Sequence, residues 1–187
     1  MNTHELCKVW DLPLRIFHWL LVAAFFIAYL TEDDLLTVHV WAGYSVFGLL
    51  LFRLVWGFIG NQYARFSNFL CKPADAAGYV KDLIASKAKR YLGHNPAGAV
   101  MIVLLLTGLL MTTLTGFAVY GADQGAGPLA GIGSGGEKRW EEAHELFANL
   151  TLLLVFMHIF GVAVESYIHR ENLVKAMWHG HKKSADQ

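Results

Sequence analysis

The sequence predicts an all-α integral-membrane protein, a four-helix bundle with one short additional helix on the cytoplasmic membrane surface. Of its 187 residues 55% are hydrophobic and only 16% are charged, and the charges crowd between long apolar stretches. Four stretches, 12–30, 38–59, 96–120 and 143–167, approach or exceed the 20 or so helical residues that cross a bilayer. A chain this short has too little polar sequence to cover four such helices in water. Its length predicts a single domain over residues 1–187.

Basic residues predict how the spans are oriented. Twelve lysines and arginines fall in the N-terminal arm, in the loop between spans two and three, and in the tail, whereas the opposite loops have only Lys138 and Arg139. The positive-inside rule therefore places both termini in the cytoplasm of a multi-pass protein of the bacterial inner membrane. The opposite loops carry mostly acids, namely Glu32, Asp33, Asp34, Asp123, Glu137, Glu141 and Glu142.

Span one is not predicted to be a cleaved signal peptide, because "TEDDLL" rather than a small-residue cleavage site follows it. Cys7 and Cys71 are the only cysteines, so the chain has no CxxC or CxxCH motif for a thiolate metal site or a thioether-linked haem. The predicted orientation places both cysteines on the reducing side of the membrane, where they are expected to be free thiols.

The segments between the spans also have predicted structures. "TEDDLLT" is predicted to be a short outer hairpin. In the long inner loop, residues 74–91 alternate apolar and basic residues at helical spacing, which predicts a helix on the membrane surface. Asn95 and Pro96 are predicted to be the N-cap and first residue of span three. The glycine-rich outer loop "GADQGAGPLAGIGSGGEKRW" is a candidate for partner docking or ligand access. The polar tail after Arg170 is expected to fray.

Four histidines lie in or at the ends of spans, where an ionisable side chain is a functional candidate. A single such histidine would more often hydrogen-bond a neighbouring helix. Fourteen residues separate His144 from His158, so both occupy one helix face, about 21 Å apart. The span directions then pair His18 with His158 at the inner level and His39 with His144 at the outer level. Paired imidazoles on different helices suit the axial positions of haem iron, which predicts two bis-histidine b haems between the helices.

Arginines and glycines fit the same prediction. Arg53 lies fourteen residues after His39 and Arg15 one turn before His18, so both fall at the inner level, where haem propionates could meet them. The alternative for Arg15 and Arg53 is that their side chains snorkel to lipid phosphate.

Gly43, Gly57 and Gly161 lie one turn from His39, Arg53 and His158, respectively. They could leave room for a flat macrocycle, although small residues also serve ordinary helix contact.

The remaining histidines are predicted to have other roles. His94 opens span three without a partner at its level and is interpreted as an interfacial residue. The other four histidines lie in polar flanks and are expected to be solvated; they are His4, His169, His179 and His181. A metal site at the "HGH" motif is disfavoured.

The chain resembles the bacterial di-haem cytochrome b561 family, in the branch of the nickel–iron hydrogenase b-type cytochrome subunits. The motifs are "VWDLPLRIFHW", "HVWAGYSVFGLLLFRLVWGFIGNQYARF", "GHNPAGAVMI" and "AHELFANLTLLLVFMHIFGV", which cover most of 9–167. The resemblance implies that the four histidines ligate two b haems and that electrons move between the quinone pool and a redox partner. The chain ends soon after span four, and "LTGFAVYGADQGAGPLAG" looks more like stand-alone members, similar to partners of periplasmic c-type cytochromes.

The leading hypothesis is therefore electron transfer between membrane quinone and a periplasmic redox protein such as a c-type cytochrome. An iron with two histidine ligands has no free coordination position, which favours outer-sphere electron transfer. Whether the protein also acts as a quinol or quinone oxidoreductase is left undecided. One alternative is superoxide oxidation with quinone as acceptor, which would need a positively charged outer funnel. Others are the membrane subunit of a hydrogenase-like complex and a passive anchor.

Membrane lipid and quinone are expected to contact the protein, a homodimer is left open, and no nucleic-acid partner is expected. A quinone site needs a lipid-facing pocket near one haem, with groups that can hydrogen-bond two carbonyl oxygens. Several polar or aromatic residues could contribute, but the sequence does not bring them together; they are Trp10, Asp11, Tyr63, Arg65 and Glu165.

Overall fold

A computed structural model of the chain describes residues 6–32, 35–131 and 135–184. His4, Asp33 and Asp34 of the sequence analysis lie outside these residues. The described part is almost entirely helical. In chain order its elements are β1 (Leu6–Lys8), α1 (Leu12–Leu30), α2 (Leu36–Ile59), a 3-10 turn (Phe66–Asn68), α3 (Pro73–Ile84), α4 (Pro96–Gln124), α5 (Glu137–Ile168), α6 (Leu173–His179) and β2 (His181–Lys183).

Helices α1, α2, α4 and α5 are the four predicted spans, and each is long and apolar enough to cross a membrane. Helix α1 has the predicted limits, whereas α4 and α5 extend several residues into polar flanks. The predicted start of α4 is confirmed, because the side-chain oxygen of Asn95 accepts a hydrogen bond from the Gly98 amide at 2.7 Å. This capping contact satisfies an amide that has no partner within the helix.

Large apolar side chains point away from the protein along these helices. Trp41 is 68% exposed on α2 and Phe160 is 71% exposed on α5, and Phe58 and Leu54 are also exposed. A protein surrounded by water rarely exposes apolar surface on this scale, whereas lipid tails solvate it. The chain is therefore an integral membrane protein with an all-α bundle fold.

The chain divides into two compact units. Unit 1 comprises the residues up to Trp19, Phe52–Val103 and the residues from Phe156 onward; unit 2 comprises Leu20–Leu51 and Leu104–Val155. Unit 2 has an apolar core centred on Phe25, Val46 and Leu109. Unit 1 contains α3, α6 and the two strands, and its buried side chains include Val9, Trp10, Phe17, Phe69 and Tyr79.

Helix α3 is shorter than predicted. The expected helix over 74–91 begins at Pro73 but ends at Ile84. The residues that follow close it with two backbone bonds, from Ser86 N to Leu83 O and from Lys87 N to Asp82 O, both near 3 Å. Ser86 has a positive φ of 54°, the left-handed conformation that completes this helix stop. The error arose because glycine usually marks such a stop, and here a serine adopts it.

The prediction of a fraying tail was wrong. After Arg170 the chain forms α6 and then β2, which pairs antiparallel with β1 so that Leu6 faces Lys183 and Lys8 faces His181. Gly180 connects α6 to β2 with a φ of 85°, and its carbonyl accepts the amides of Val9 and Trp10. Local composition could not predict this, because the tail is ordered by the opposite end of the chain.

Candidate functional site

The clearest candidate site lies in unit 2, where His39 of α2 faces His144 of α5. Their ring centroids are 6.0 Å apart and the ring planes are nearly perpendicular, at 87°. Imidazole nitrogens bind first-row metals at about 2.0 Å and lie about 1.1 Å from the ring centre, so two rings sharing one metal have centroids about 6.2 Å apart. The observed separation is therefore suitable for one iron between the two rings.

Hydrogen bonds hold both rings in the tautomer that a metal ligand requires. Nδ1 of His39 lies 2.8 Å from the carbonyl of Ala28, and Nδ1 of His144 lies 2.9 Å from the carbonyl of Thr112. Because a carbonyl can only accept, each Nδ1 must carry the proton and donate it. Nε2 of each ring then keeps its lone pair for a metal, and the carbonyls fix the ring orientations. The hydroxyl of Thr115 lies 3.3 Å from the same nitrogen of His144.

A mostly apolar cavity lies beside the two rings, and both His39 and His144 line it. Gly43 lines the cavity, and a Cβ added to it would meet nothing within 4 Å. The other lining residues include Phe25, Ala28, Tyr29, Val40, Tyr44, Val46, Leu109, Thr112, Thr113, Phe117, Tyr120 and Ala148.

The cavity includes a residue that the sequence analysis missed. A Cβ on Gly116 of α4 would lie 2.9 Å from Cε1 of His144, so only glycine lets this ring lie against α4. Helix α4 contains no histidine, so the spacing between glycines and histidines along one helix could not indicate Gly116.

Unit 1 contains the other two predicted ligands, His18 on α1 and His158 on α5. The ring of His18 packs edge-on against Trp19, with centroids 5.0 Å apart. Its Nδ1 is buried and has no hydrogen-bond partner among the described residues. Around Gly161, one turn from His158, an added Cβ would meet nothing within 4 Å. In its described part, unit 1 thus has imidazoles and an open helix face, but no carbonyl that accepts a hydrogen bond from His18 Nδ1.

Arg53 is buried in unit 1, with only 3% of its surface exposed. Nη2 donates to the carbonyl of Ala64 at 3.1 Å, and the guanidinium lies over the ring of Phe66, 4.6 Å from its centre. Nη1 is also buried, and no described residue accepts a hydrogen bond from it. A buried cation with a free donor is costly unless an anion meets it, so Arg53 is suited to hold an anionic group of a ligand.

Arg15 and Gly57 have protein neighbours in the structure. The guanidinium of Arg15 donates to the carbonyl of Trp178 at the end of α6, while its Nε is buried and has no acceptor in the described part of the chain. The binding of a haem propionate by Arg15 stays a prediction.

A Cβ on Gly57 would overlap the ring of Phe66, so this glycine makes room for a side chain of the protein.

His94 packs within unit 1, and its predicted place at the membrane interface stays a prediction. Its ring packs between Trp10 and Phe69, with centroid distances of 4.6 and 4.7 Å, and its Nδ1 is buried without a described partner. Burial and then the nearby Arg53 lower the pKa of His94 to about 3, so the imidazole is neutral at physiological pH. No local pattern indicates this contact, because Trp10, Phe69 and His94 come from three separate segments.

The predicted quinone-site candidates do not converge on one cavity within the described residues. Asp11 caps α1 through the Leu14 amide and accepts the indole of Trp56 at 3.1 Å. Tyr63 lies near Cys7, and burial raises the pKa of its phenol. Trp10 packs on His94, whereas Glu165 accepts a hydrogen bond from Tyr79.

The unit 2 residues fit a haem. Two imidazoles with free Nε2 lone pairs lie at the separation that one iron requires, beside an apolar cavity and a helix face without a side chain. In unit 1 the fit rests on the free donor of Arg53, which matches a propionate, and on the open space at Gly161.

Comparisons with known proteins agree with this chemistry. A sequence model of the prokaryotic cytochrome b561 family matches residues 9–180. The chain is 26% identical to a protein of Azotobacter chroococcum mcd 1 named "Probable Ni/Fe-hydrogenase B-type cytochrome subunit", over 95% of this chain and 89% of the relative. A Rhodobacter capsulatus protein of the same name is 24% identical over 95% and 82%. The "Probable Ni/Fe-hydrogenase 1 B-type cytochrome subunit" of Escherichia coli (strain K12) is 29% identical over 60% and 59%.

No solved structure matches the chain significantly. The family match covers nearly the whole described bundle, including all four span histidines. A membrane-spanning helical bundle, a histidine pair suited to haem iron and this match together support one conclusion: the chain belongs to the prokaryotic cytochrome b561 family and is a membrane b-type cytochrome that transfers electrons.

Proposed function

We propose that this protein is a two-haem cytochrome of the bacterial inner membrane that transfers electrons between membrane quinone and a periplasmic redox protein. The observation that carries the proposal is the unit 2 histidine pair. His39 and His144 face each other at 6.0 Å, and a backbone carbonyl accepts the Nδ1 proton of each ring. In this proposal they would hold the iron of one haem b.

His18 and His158 would hold the iron of a second haem b in this proposal. Their support is the helical spacing that pairs them, the open helix face at Gly161, and the free donor of buried Arg53. Arg53 is assigned to a propionate of this haem. Its burial favours this role over snorkelling to lipid phosphate, which would carry the guanidinium to the surface.

Bound haem supplies reversible one-electron chemistry. The residues of the chain hold and orient it: the imidazoles bind iron, and the carbonyls of Ala28 and Thr112 keep two of the rings in place. The apolar lining of the unit 2 cavity excludes water, which influences the redox potential. Two histidines on each iron leave no position for oxygen, so outer-sphere electron transfer is favoured.

A periplasmic c-type cytochrome is the leading candidate for the soluble partner. With both termini in the cytoplasm, as proposed, the loop before α5 lies outside. The exposed acids Asp123 at the end of α4 and Glu137, Glu141 and Glu142 at the start of α5 flank this loop. Such a surface attracts a partner with a basic docking face. The same acids disfavour superoxide oxidation, because an anionic substrate would be repelled.

A hydrogenase-like complex is the second candidate, and the names of the relatives favour it. One experiment separates the two: the purified, haem-loaded protein is mixed with ubiquinol or menaquinol in detergent, and haem reduction is followed by visible spectroscopy. A basic c-type cytochrome or a nickel–iron hydrogenase with hydrogen is then added. Quinol-driven reduction of the c-type cytochrome supports the leading proposal, whereas reduction by hydrogenase alone supports the alternative. No response to quinone or quinol in either direction would overturn the quinone assignment.

A further inference from the structure

A buried carboxyl group lies in the last turn of α5. The side chain of Glu165 is only 12% exposed, although α5 is one of the four membrane-spanning helices. Burying a carboxylate is costly, and the negative end of the helix dipole makes this position less favourable still. Such a group needs either a compensating partner or a function that requires it.

Glu165 has one hydrogen-bond partner from another segment of unit 1 and one neighbouring imidazole four residues further along the chain. The Tyr79 hydroxyl of α3 donates to Oε1 of Glu165 at 2.7 Å, and Nε2 of His169 lies 3.4 Å from the same oxygen. Burial and the contact with Glu165 raise the pKa of Tyr79, so this phenol keeps its proton and acts as a fixed donor. The hydroxyl therefore positions the carboxyl group and does not carry protons itself.

The neighbouring charges are engaged elsewhere. Lys182 of β2 and Arg90 both pair with Glu171, at 3.3 and 2.9 Å. Lys182 also donates to the carbonyl of Tyr91, whose ring packs against Tyr79. Neither of these cations forms an ion pair with Glu165 within the described residues. Nε2 of His169 is buried and forms no hydrogen bond within the described residues, and the side chain of His169 is 12% exposed.

The position of Glu165 on α5 relates it to His158. Seven residues separate them, almost two full turns, so they share one helix face about 10.5 Å apart along the axis. His169 follows on this face, one turn further. The face thus presents, in order, a proposed haem ligand, a buried carboxyl group and, near the helix end, an imidazole that is equally buried.

We propose that Glu165 is the proton-exchange group of the quinone reaction, with Tyr79 as its positioning residue and His169 as its connection to water. This inference rests on the proposed quinone function. When a quinone gains two electrons, each of its oxygens also takes a proton, and Glu165 supplies protons as its O–H bond breaks and the quinol O–H bond forms. The carboxylate is then reprotonated from water by way of His169. Quinol oxidation reverses both transfers.

The test compares Glu165→Gln with Glu171→Gln in full-length, haem-loaded protein. Glutamine still accepts the Tyr79 hydrogen bond but cannot exchange a proton, whereas Glu171 is an equally buried carboxylate outside the cluster. Stopped-flow haem reduction by quinol should slow about a hundredfold, the lower limit for a lost acid–base group, in Glu165→Gln only. Haem content and dithionite reduction should match wild type.

Two further measurements separate proton exchange from a structural tie between α3 and α5. Tyr79→Phe removes the tie and keeps the carboxyl group, so its quinol rate should fall less than that of Glu165→Gln. A carboxyl band in the reduced-minus-oxidised infrared difference spectrum should vanish in Glu165→Gln and persist in Tyr79→Phe.

Equal slowing in both variants, or a wild-type rate in Glu165→Gln, would overturn the proposal. If Glu165→Gln does not assemble, Glu165→Asp replaces it and should give an intermediate rate. A wild-type protein inert to quinol would instead remove the quinone function itself.

Discussion

The two histidine sites of this protein have the same proposed ligand type in different surroundings. In unit 2, backbone carbonyls orient His39 and His144, and the cavity around them is mainly apolar. In unit 1, His18 has no such bond among the described residues, and the charged side chain of Arg53 is buried. Hydrogen bonds therefore organise the unit 2 site, whereas a buried charge distinguishes the unit 1 site. A cation stabilises a reduced haem, so the unit 1 haem is expected to have the higher potential.

Removing a ligand should produce the largest effect. His39→Ala or His144→Ala should each abolish the same haem, and His18→Ala or His158→Ala the other, because one imidazole cannot hold a bis-histidine iron. A pyridine haemochrome assay should fall from two haems per chain to one, and a redox titration should identify the missing centre. Loss of the same centre in His18→Ala and His39→Ala would contradict the pairing.

Replacing Arg53 should have the second largest effect. Arg53→Leu should lower the unit 1 haem potential by roughly 60–130 mV, which corresponds to about 1.4–3 kcal/mol for a charge-assisted contact. Arg53→Lys should fall between wild type and Arg53→Leu, because lysine keeps the charge but not the planar fork. The unit 2 potential should barely change. Unchanged potentials with a poorer yield of protein would instead indicate that Arg53 binds lipid phosphate.

The close contact at Gly116 offers a way to disturb the unit 2 site alone. Gly116→Ala should push the His144 ring aside, since the new Cβ would lie 2.9 Å from it, at a cost of about 1–3 kcal/mol. Haem loss from this site, measured by transfer to apomyoglobin, should accelerate about tenfold. Gly48→Ala is the matched control, because its Cβ meets nothing within 4 Å. Equal haem loss in both variants would show that the contact is unimportant.

The smallest expected effect is the acid sensitivity of unit 1 at His94. Burial holds the folded-state pKa of His94 near 3, below the ordinary value of 6.5. The unfolded chain therefore binds the proton first, and stability falls as pH drops from about 6.5 towards 3. Relative to His94→Phe, wild type should lose about 1 kcal/mol between pH 7.5 and pH 5.5 in detergent thermal unfolding. A parallel pH dependence of both proteins would show that His94 is not responsible.

Much of the fold was predictable because the membrane imposes strong local rules. A span needs about 20 apolar residues with every backbone group bonded internally, so the four helices follow from hydrophobicity alone. Asn95 and Pro96 predict the start of α4 because capping is also local. The end of α3 at Ser86 and the pairing of β1 with β2 were missed, since each depends on a backbone conformation or a distant segment.

Hydrophobicity predicted the fold class and the quoted motifs indicated the family, while helical spacing, which converts residue separation into depth and face, identified the four candidate ligands. The surroundings of these ligands depend on tertiary contacts. The carbonyls of Ala28 and Thr112, the space left by Gly116 and the contact of Tyr79 with Glu165 all join segments distant in sequence. Such contacts depend on how helices rotate and pack against one another, and the spacing of residues along one helix contains no information about its neighbour.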